Sequence, residues 1–126
     1  TDAQHAASRD ALLAFERMPR TFGKAPASAL AYRDLLLPAT RWLRNDQPAL
    51  VGKTLAEHVD REPTGRVEWT PIDGAVAASD DLAYTYGTSR RFVGVESPSE
   101  GDDVHVWQRA RDDAWKLLAA VSLPAS

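Results

Sequence analysis

From Arg66 onward the chain carries four β-rich runs, at 66–78, 82–95, 104–110 and 115–123, with acidic doublets between them at Asp80-Asp81, Asp102-Asp103 and Asp112-Asp113. Aspartate hydrogen-bonds its own backbone and tolerates turn conformations, so doublets in these places predict hairpin turns. The four runs therefore predict a meander of antiparallel strands. In the 82–93 run, one face carries Tyr84, Tyr86, Thr88, Arg90 and Phe92, and the other carries Ala83, Thr85, Gly87, Ser89 and Arg91. Small side chains let a helix approach closely, whereas the tyrosine face is large enough for a subunit contact or a pocket wall.

The residues before Pro63 read differently. Residues 2–18 are rich in alanine, leucine, arginine and glutamate, with Ala7, Ala11, Phe15 and Met18 on one helical face and Arg9, Asp10, Glu16 and Arg17 mainly off it. Pro19, Gly23 and Pro26 interrupt. A second short helix is expected over 27–37 and ends at Pro38; a strand follows over 39–44, then a turn at Asn45-Asp46-Gln47-Pro48. A third helix is expected over 54–61, with Thr54 as N-cap and Glu57 at the capping-box spacing. Helices first and strands afterwards predict an α+β fold, with helices packed on one face of an antiparallel sheet.

Composition narrows the chemistry. The 126 residues suit one domain, 1–126, with a net charge of -3 and no cysteine, which excludes thiol nucleophiles, cysteine-based zinc sites and redox disulfides. No apolar run reaches membrane-spanning length, and the weak acidic balance gives no reason to expect nucleic acid or an anionic membrane as partner. The sequence begins at Thr1, so loss of a leader is an expectation that leaves both cytoplasmic and exported placement open.

Several apparent motifs dissolve on inspection. Val51-Gly52-Lys53-Thr54 ends like a phosphate-binding loop, but the earlier glycine that such a loop requires is Gln47, beside Pro48. His5, His58 and His105 have no close ligand spacing, so no metal or other cofactor is expected. His105 is expected to be exposed, and His58 to decorate a helix surface. There is no nucleophile elbow. Trp42, Trp69, Trp107 and Trp115 are more informative: they suit a large-residue core, an aromatic-lined cavity, or both.

Asp81-Leu82-Ala83-Tyr84-Thr85-Tyr86-Gly87, then Val106-Trp107-Gln108-Arg109, then Trp115-Lys116-Leu117-Leu118 resemble the closing half of the nuclear transport factor 2-like superfamily. Within it they are most similar to the bacterial ketosteroid-isomerase-like and SnoaL-like group. Phe15-Glu16-Arg17-Met18, residues 30–43 and Pro48-Ala49-Leu50-Val51-Gly52-Lys53 match the group's earlier half. The resemblance implies a cone-shaped, cystatin-like α+β barrel: a curved antiparallel sheet wrapped around N-terminal helices, with an apolar pocket and often a homodimer contact on the outer sheet face. In the isomerases an aspartate base lies in the first strand, and alignment puts Leu43 there, which cannot abstract a proton. Ala120 replaces an acidic residue common in relatives, and Asp113 replaces a turn glycine. Steroid-isomerase chemistry is therefore disfavoured.

Two functions follow as expectations. One is a noncatalytic domain that binds a small apolar molecule, with Phe15, Met18, Tyr32, Arg41, Trp42, Trp69 and Trp107 as candidate ligand-binding residues. The other is a cofactor-free isomerase, cyclase or dehydratase, drawing on Arg41, Asp73, Tyr84, Tyr86 and His105; it requires at least two of these to converge in one concavity. A homodimer through Tyr84, Tyr86 and Phe92 is expected beside either.

Overall fold

The computed structural model describes residues 2–23 and 30–124. Helix α1 (Asp2–Glu16) leads into the short strand β1 (Arg20–Phe22). A 3-10 turn (Tyr32–Leu35) runs directly into β2 (Leu36–Arg44), which turns back as β3 (Gln47–Val51), and helix α2 (Gly52–Arg61) follows. The remaining strands are β4 (Gly65–Val76), β5 (Leu82–Val93), β6 (Ser99–Arg109) and β7 (Trp115–Pro124).

The seven strands form one sheet in the order β1-β4-β5-β6-β7-β2-β3, curled into a half-barrel with the two helices against it. This is the α+β cone expected above. The meander β4 to β7 is antiparallel throughout, and the sheet continues because β2 joins β7 in parallel. Register shifts in β4 between Pro71 and Asp73, and between β6 and β7 near Val106 and Trp107, mark bulges, which add bend and twist to a strand.

The curl gives β5 its polarity. Ala83 and Thr85 are buried on the concave face, whereas Tyr84 and Tyr86 are exposed on the convex one. Across the concave face lies a core that includes Leu12, Phe22, Leu35, Leu55, Val59, Trp107 and Leu117. In α2, Leu55 and Val59 are one turn apart and face this core.

Several expectations are corrected. The helix placed over 27–37 is, within the described residues, only the 3-10 turn; residues 27–29 lie outside them, and Leu36, Leu37 and Pro38 belong to β2. A nine-residue strand wins there because Leu36 pairs with Leu117 and Thr40 Oγ1 donates to the Leu117 carbonyl at 2.5 Å. Gln47–Val51 is a strand rather than a loop, with Pro48 tolerated at the sheet edge. Helix α2 begins at Gly52 with no side-chain cap, so the Thr54 box is not formed. Asp80-Asp81 and Asp112-Asp113 do sit in turns, with Asp80 and Asp113 at positive φ. Asp102-Asp103 does not, since β6 starts at Ser99 to pair with the far end of β5.

Helix α1 turns a different face inward from the one expected. Leu12 and Glu16 are buried, Ala7 and Ala11 are exposed, and Met18 is largely exposed beyond the helix end. The inward stripe His5, Ser8, Leu12, Glu16 keeps helical spacing but carries a carboxylate at its deepest point.

Candidate functional site

The buried carboxylate organises a polar chain inside the cone. Glu16 is 3% exposed and lies at the end of α1. Its Oε1 accepts a hydrogen bond from Thr85 Oγ1 at 2.5 Å and lies 2.7 Å from His105 Nδ1. A carboxylate can only accept, which assigns the ring proton to Nδ1. Trp107 Nε1 in turn donates to Thr85 Oγ1 at 2.9 Å. Four residues from one helix and two strands thus bond to one another in the buried interior. Thr85 and His105 are direct cross-strand partners, which is why their side chains meet.

His105 is accordingly 3% exposed rather than on the surface, which corrects the expectation for it. Its ring lies edge-on between two indoles, 4.7 Å from Trp69 and 5.6 Å from Trp107 between centroids. Glu16 engages Nδ1, while Nε2 has no hydrogen-bond partner among the described residues.

His105 also lines a cavity of about 390 Å³ on the concave side of the sheet. Tyr32, Trp42 and Trp69 supply aromatic wall, Phe22, Val59 and Val67 aliphatic and aromatic floor, and Asp103 sits two residues along β6 from His105. Arg44, Glu62, Arg91 and Glu100 line it as well. Most of these charges are engaged. Arg91 pairs with Glu62 at 2.8 Å, and Arg44 stacks over Trp42 and donates to the Pro48 carbonyl. Trp42 Nε1 donates to Ser122 Oγ at 2.9 Å.

Two atoms are exceptions: the Arg44 Nε, which is buried without an acceptor, and the Asp103 Oδ2. Asp103 is 6% exposed, and its Oδ2 is buried with no hydrogen-bond partner. The Tyr32 phenol is held far above its ordinary range, first by burial and then by the negative charge of Asp103. It therefore keeps its proton and can serve as a hydrogen-bond donor.

The structure brings Tyr32, Trp42 and Trp69 together on the cavity wall and leaves the other expected ligand residues elsewhere. Phe15 packs edge-to-face on Trp107 at 5.9 Å in the core, while Met18 and Arg41 are exposed. Of the acid-base candidates only His105 reaches the cavity; Arg41, Asp73, Tyr84 and Tyr86 are exposed on other surfaces. Leu43 is also exposed, on the opposite side of β2 from Thr40 and Trp42, so the alignment that put it in a base position has no counterpart in the geometry. Phe92 is half-buried beneath Arg66, 4.0 Å above its ring. His58 is half-buried, pairs with Glu62 at 2.8 Å and touches Trp42.

Glu16, Thr85 and Asp103 were not among the candidates. A signal for Asp103 and His105 does exist: in a strand, residues two apart share a face, so a core Trp107 carries both inward with it. No comparable signal marks Glu16, which is one polar residue on an amphipathic helix until Thr85 and His105 fold against it.

Among the described residues no cluster of three or more His, Asp or Glu could hold a metal ion, and no helix is long and apolar enough to cross a membrane. No protein-family model and no curated protein matches the chain. Solved structures do. A ketosteroid isomerase-like protein from Erwinia carotovora atroseptica superposes with a TM-score of 0.57 at 16% identity, over 75% of this chain and 78% of that one. A nuclear transport factor 2-like protein with a cystatin-like fold from Novosphingobium aromaticivorans gives 0.62 at 12% identity, over 75% and 67%. A nuclear transport factor 2-like protein of unknown function from Shewanella oneidensis gives 0.58 at 17% identity, over 73% and 79%.

Proposed function

The chain has the nuclear transport factor 2-like fold, and from that premise we propose that its concave cavity binds a small, largely apolar organic molecule. The fold alone does not select a function, since unrelated activities share it. The observation that carries the reading is the pairing of aromatic walls, Tyr32, Trp42 and Trp69, with a short stretch of polar atoms at Asp103 and His105. Apolar walls supply affinity by releasing water, and few polar groups fix orientation. Tyr32 and Trp69 lie 5.7 Å apart between ring centroids, so a bound molecule would alter the environment of at least one indole.

The test is a thermal-shift and tryptophan-fluorescence screen against small apolar alcohols, ketones and amines, repeated on Trp69→Phe. Ligands that stabilise the protein and lose their fluorescence response in the variant support the reading. A screen without any stabilising compound sinks it.

A second reading is a cofactor-free enzyme that moves a proton on such a molecule. It is favoured by one arrangement: Glu16 fixes the His105 ring through Nδ1 and leaves Nε2 without a partner among the described residues. A carboxylate so placed orients an imidazole and fixes its tautomer. Exchange of solvent deuterium into a bound ketone, followed by NMR, distinguishes the readings: catalysis requires exchange that His105→Gln abolishes while binding persists.

The convex face is proposed as a homodimer surface. Tyr86 and Val104 are cross-strand partners there, both exposed, with Tyr84 alongside. Light scattering on Tyr86→Asp checks this; an unchanged dimer would place the contact elsewhere.

A further inference from the structure

We propose that the cavity selects ligands carrying a protonated amine, which Asp103 recognises as its counter-ion. The inference rests on the reading that the cavity binds a small molecule, and it specifies which class.

Asp103 is more than nine-tenths buried, faces the cavity, and has an Oδ2 without any hydrogen-bond donor. A buried carboxylate without a partner is costly, and natural proteins rarely leave one uncompensated. The nearby cations do not compensate it. Arg91 is held by Glu62, and Arg44 stacks on Trp42 with one terminal nitrogen on the Pro48 carbonyl; its Nε is buried without an acceptor, yet it forms no ion pair with Asp103. Donors deeper in the cone are also engaged, since Trp107 Nε1, Thr85 Oγ1 and His105 Nδ1 converge directly or through one another on Glu16. Among the described residues no cation lies within ion-pair distance of Asp103, so that place goes to a positive group on the ligand.

The surroundings of Asp103 suit an organic cation better than a hydrated inorganic one. No second and third carboxylate or imidazole gathers with it into a metal-binding cluster among the described residues. Instead the walls include Tyr32 and Trp69, whose ring faces attract ammonium groups while accommodating an apolar skeleton, beside Trp42, on which Arg44 already stacks. One carboxylate beside aromatic rings satisfies both halves of such a molecule: charge to charge, hydrocarbon to ring. A carboxylic acid would be repelled by Asp103, and a ketone would bring only an acceptor to an acceptor.

Binding of 1-adamantylamine and 2-phenylethylamine, each compared with its alcohol and carboxylate counterparts by isothermal titration calorimetry at neutral pH, tests the proposal. The amines are expected to bind at least about tenfold more tightly than the alcohols, with the carboxylates weakest. Asp103→Asn is expected to erase the preference for amine over alcohol, reducing amine affinity by at least about tenfold. The comparison within the unsubstituted protein stands even if that variant does not fold. Alcohols that bind as well as the amines would overturn the counter-ion role and leave the cavity reading intact. Failure of all six compounds to bind would overturn both.

Discussion

Glu16 and His105 lie 89 residues apart in the chain, yet they meet at 2.7 Å in a place where both are about 97% removed from solvent. One closes the first helix and the other lies in the middle of β6, so their contact ties the helical layer to the sheet. Removing Glu16 leaves the buried His105 Nδ1 without an acceptor, and removing His105 leaves the buried Glu16 with only the Thr85 hydroxyl. Glu16→Leu and His105→Leu should each cost about 3–5 kcal/mol in urea denaturation, and the double variant should cost clearly less than their sum. Additive losses would mean that the pair contributes no coupling.

Thr85 both receives from Trp107 and donates to Glu16, so its hydroxyl serves two buried partners. Thr85→Val keeps the shape and deletes both bonds. A loss of about 1–3 kcal/mol is expected, larger than for Thr85→Ser, which keeps the hydroxyl. Chemical denaturation of the two variants side by side gives the comparison.

Gly52 opens α2 at φ +57°, and a Cβ there would lie 2.5 Å from the Pro38 carbonyl oxygen. Both the left-handed backbone and the close approach to β2 require glycine. Gly52→Ala should destabilise by more than about 1 kcal/mol, whereas Lys53→Ala on the exposed neighbour should change stability by less than about 0.5 kcal/mol. Equal effects would mean that the residues resembling a phosphate loop matter for something other than this turn.

The Tyr32 phenol is held above its ordinary range by burial and by Asp103. A group whose folded pKa exceeds its unfolded one gives full stability below the unfolded value, and that stability falls as pH rises through and beyond it. Denaturation midpoints should thus decline with increasing slope above about pH 10. Tyr32→Phe should flatten that decline while leaving the neutral-pH midpoint nearer the parent. An unchanged alkaline slope would show that Tyr32 ionises freely while folded.

The meander is legible because alternation, tryptophan placement and aspartate turns agree there. Tyr84 and Tyr86 alternate with Ala83 and Thr85, and Asp80 and Asp113 adopt the positive φ that a tight turn needs. The shorter strands are not legible. Arg20–Phe22 has three residues and no pattern of its own, and its strand character comes from pairing with 65–67. Gln47–Val51 contains a proline and becomes a strand by pairing with β2. The aromatic cavity wall at Tyr32, Trp42 and Trp69 follows from residue type, but its polar end does not. Glu16 is visible as a site residue only once the fold supplies donors to it, and Asp102-Asp103 reads as a turn until the length of β5 draws β6 past it.

The parallel pairing of β2 with β7 also sets the order of events in folding. Trp42 reaches Ser122 across 80 residues of chain, and Thr40 reaches Leu117 across 77. Loop closure over such separations is slow, so the pairing of β2 with β7 is expected to follow the local β2–β3 hairpin and its packing on α2. During synthesis the β2 edge that β7 will cover stays open until a strand made much later. Refolding monitored at Trp42 should therefore lag behind formation of the β4–β6 meander, and this late step is where association between unfinished chains would begin.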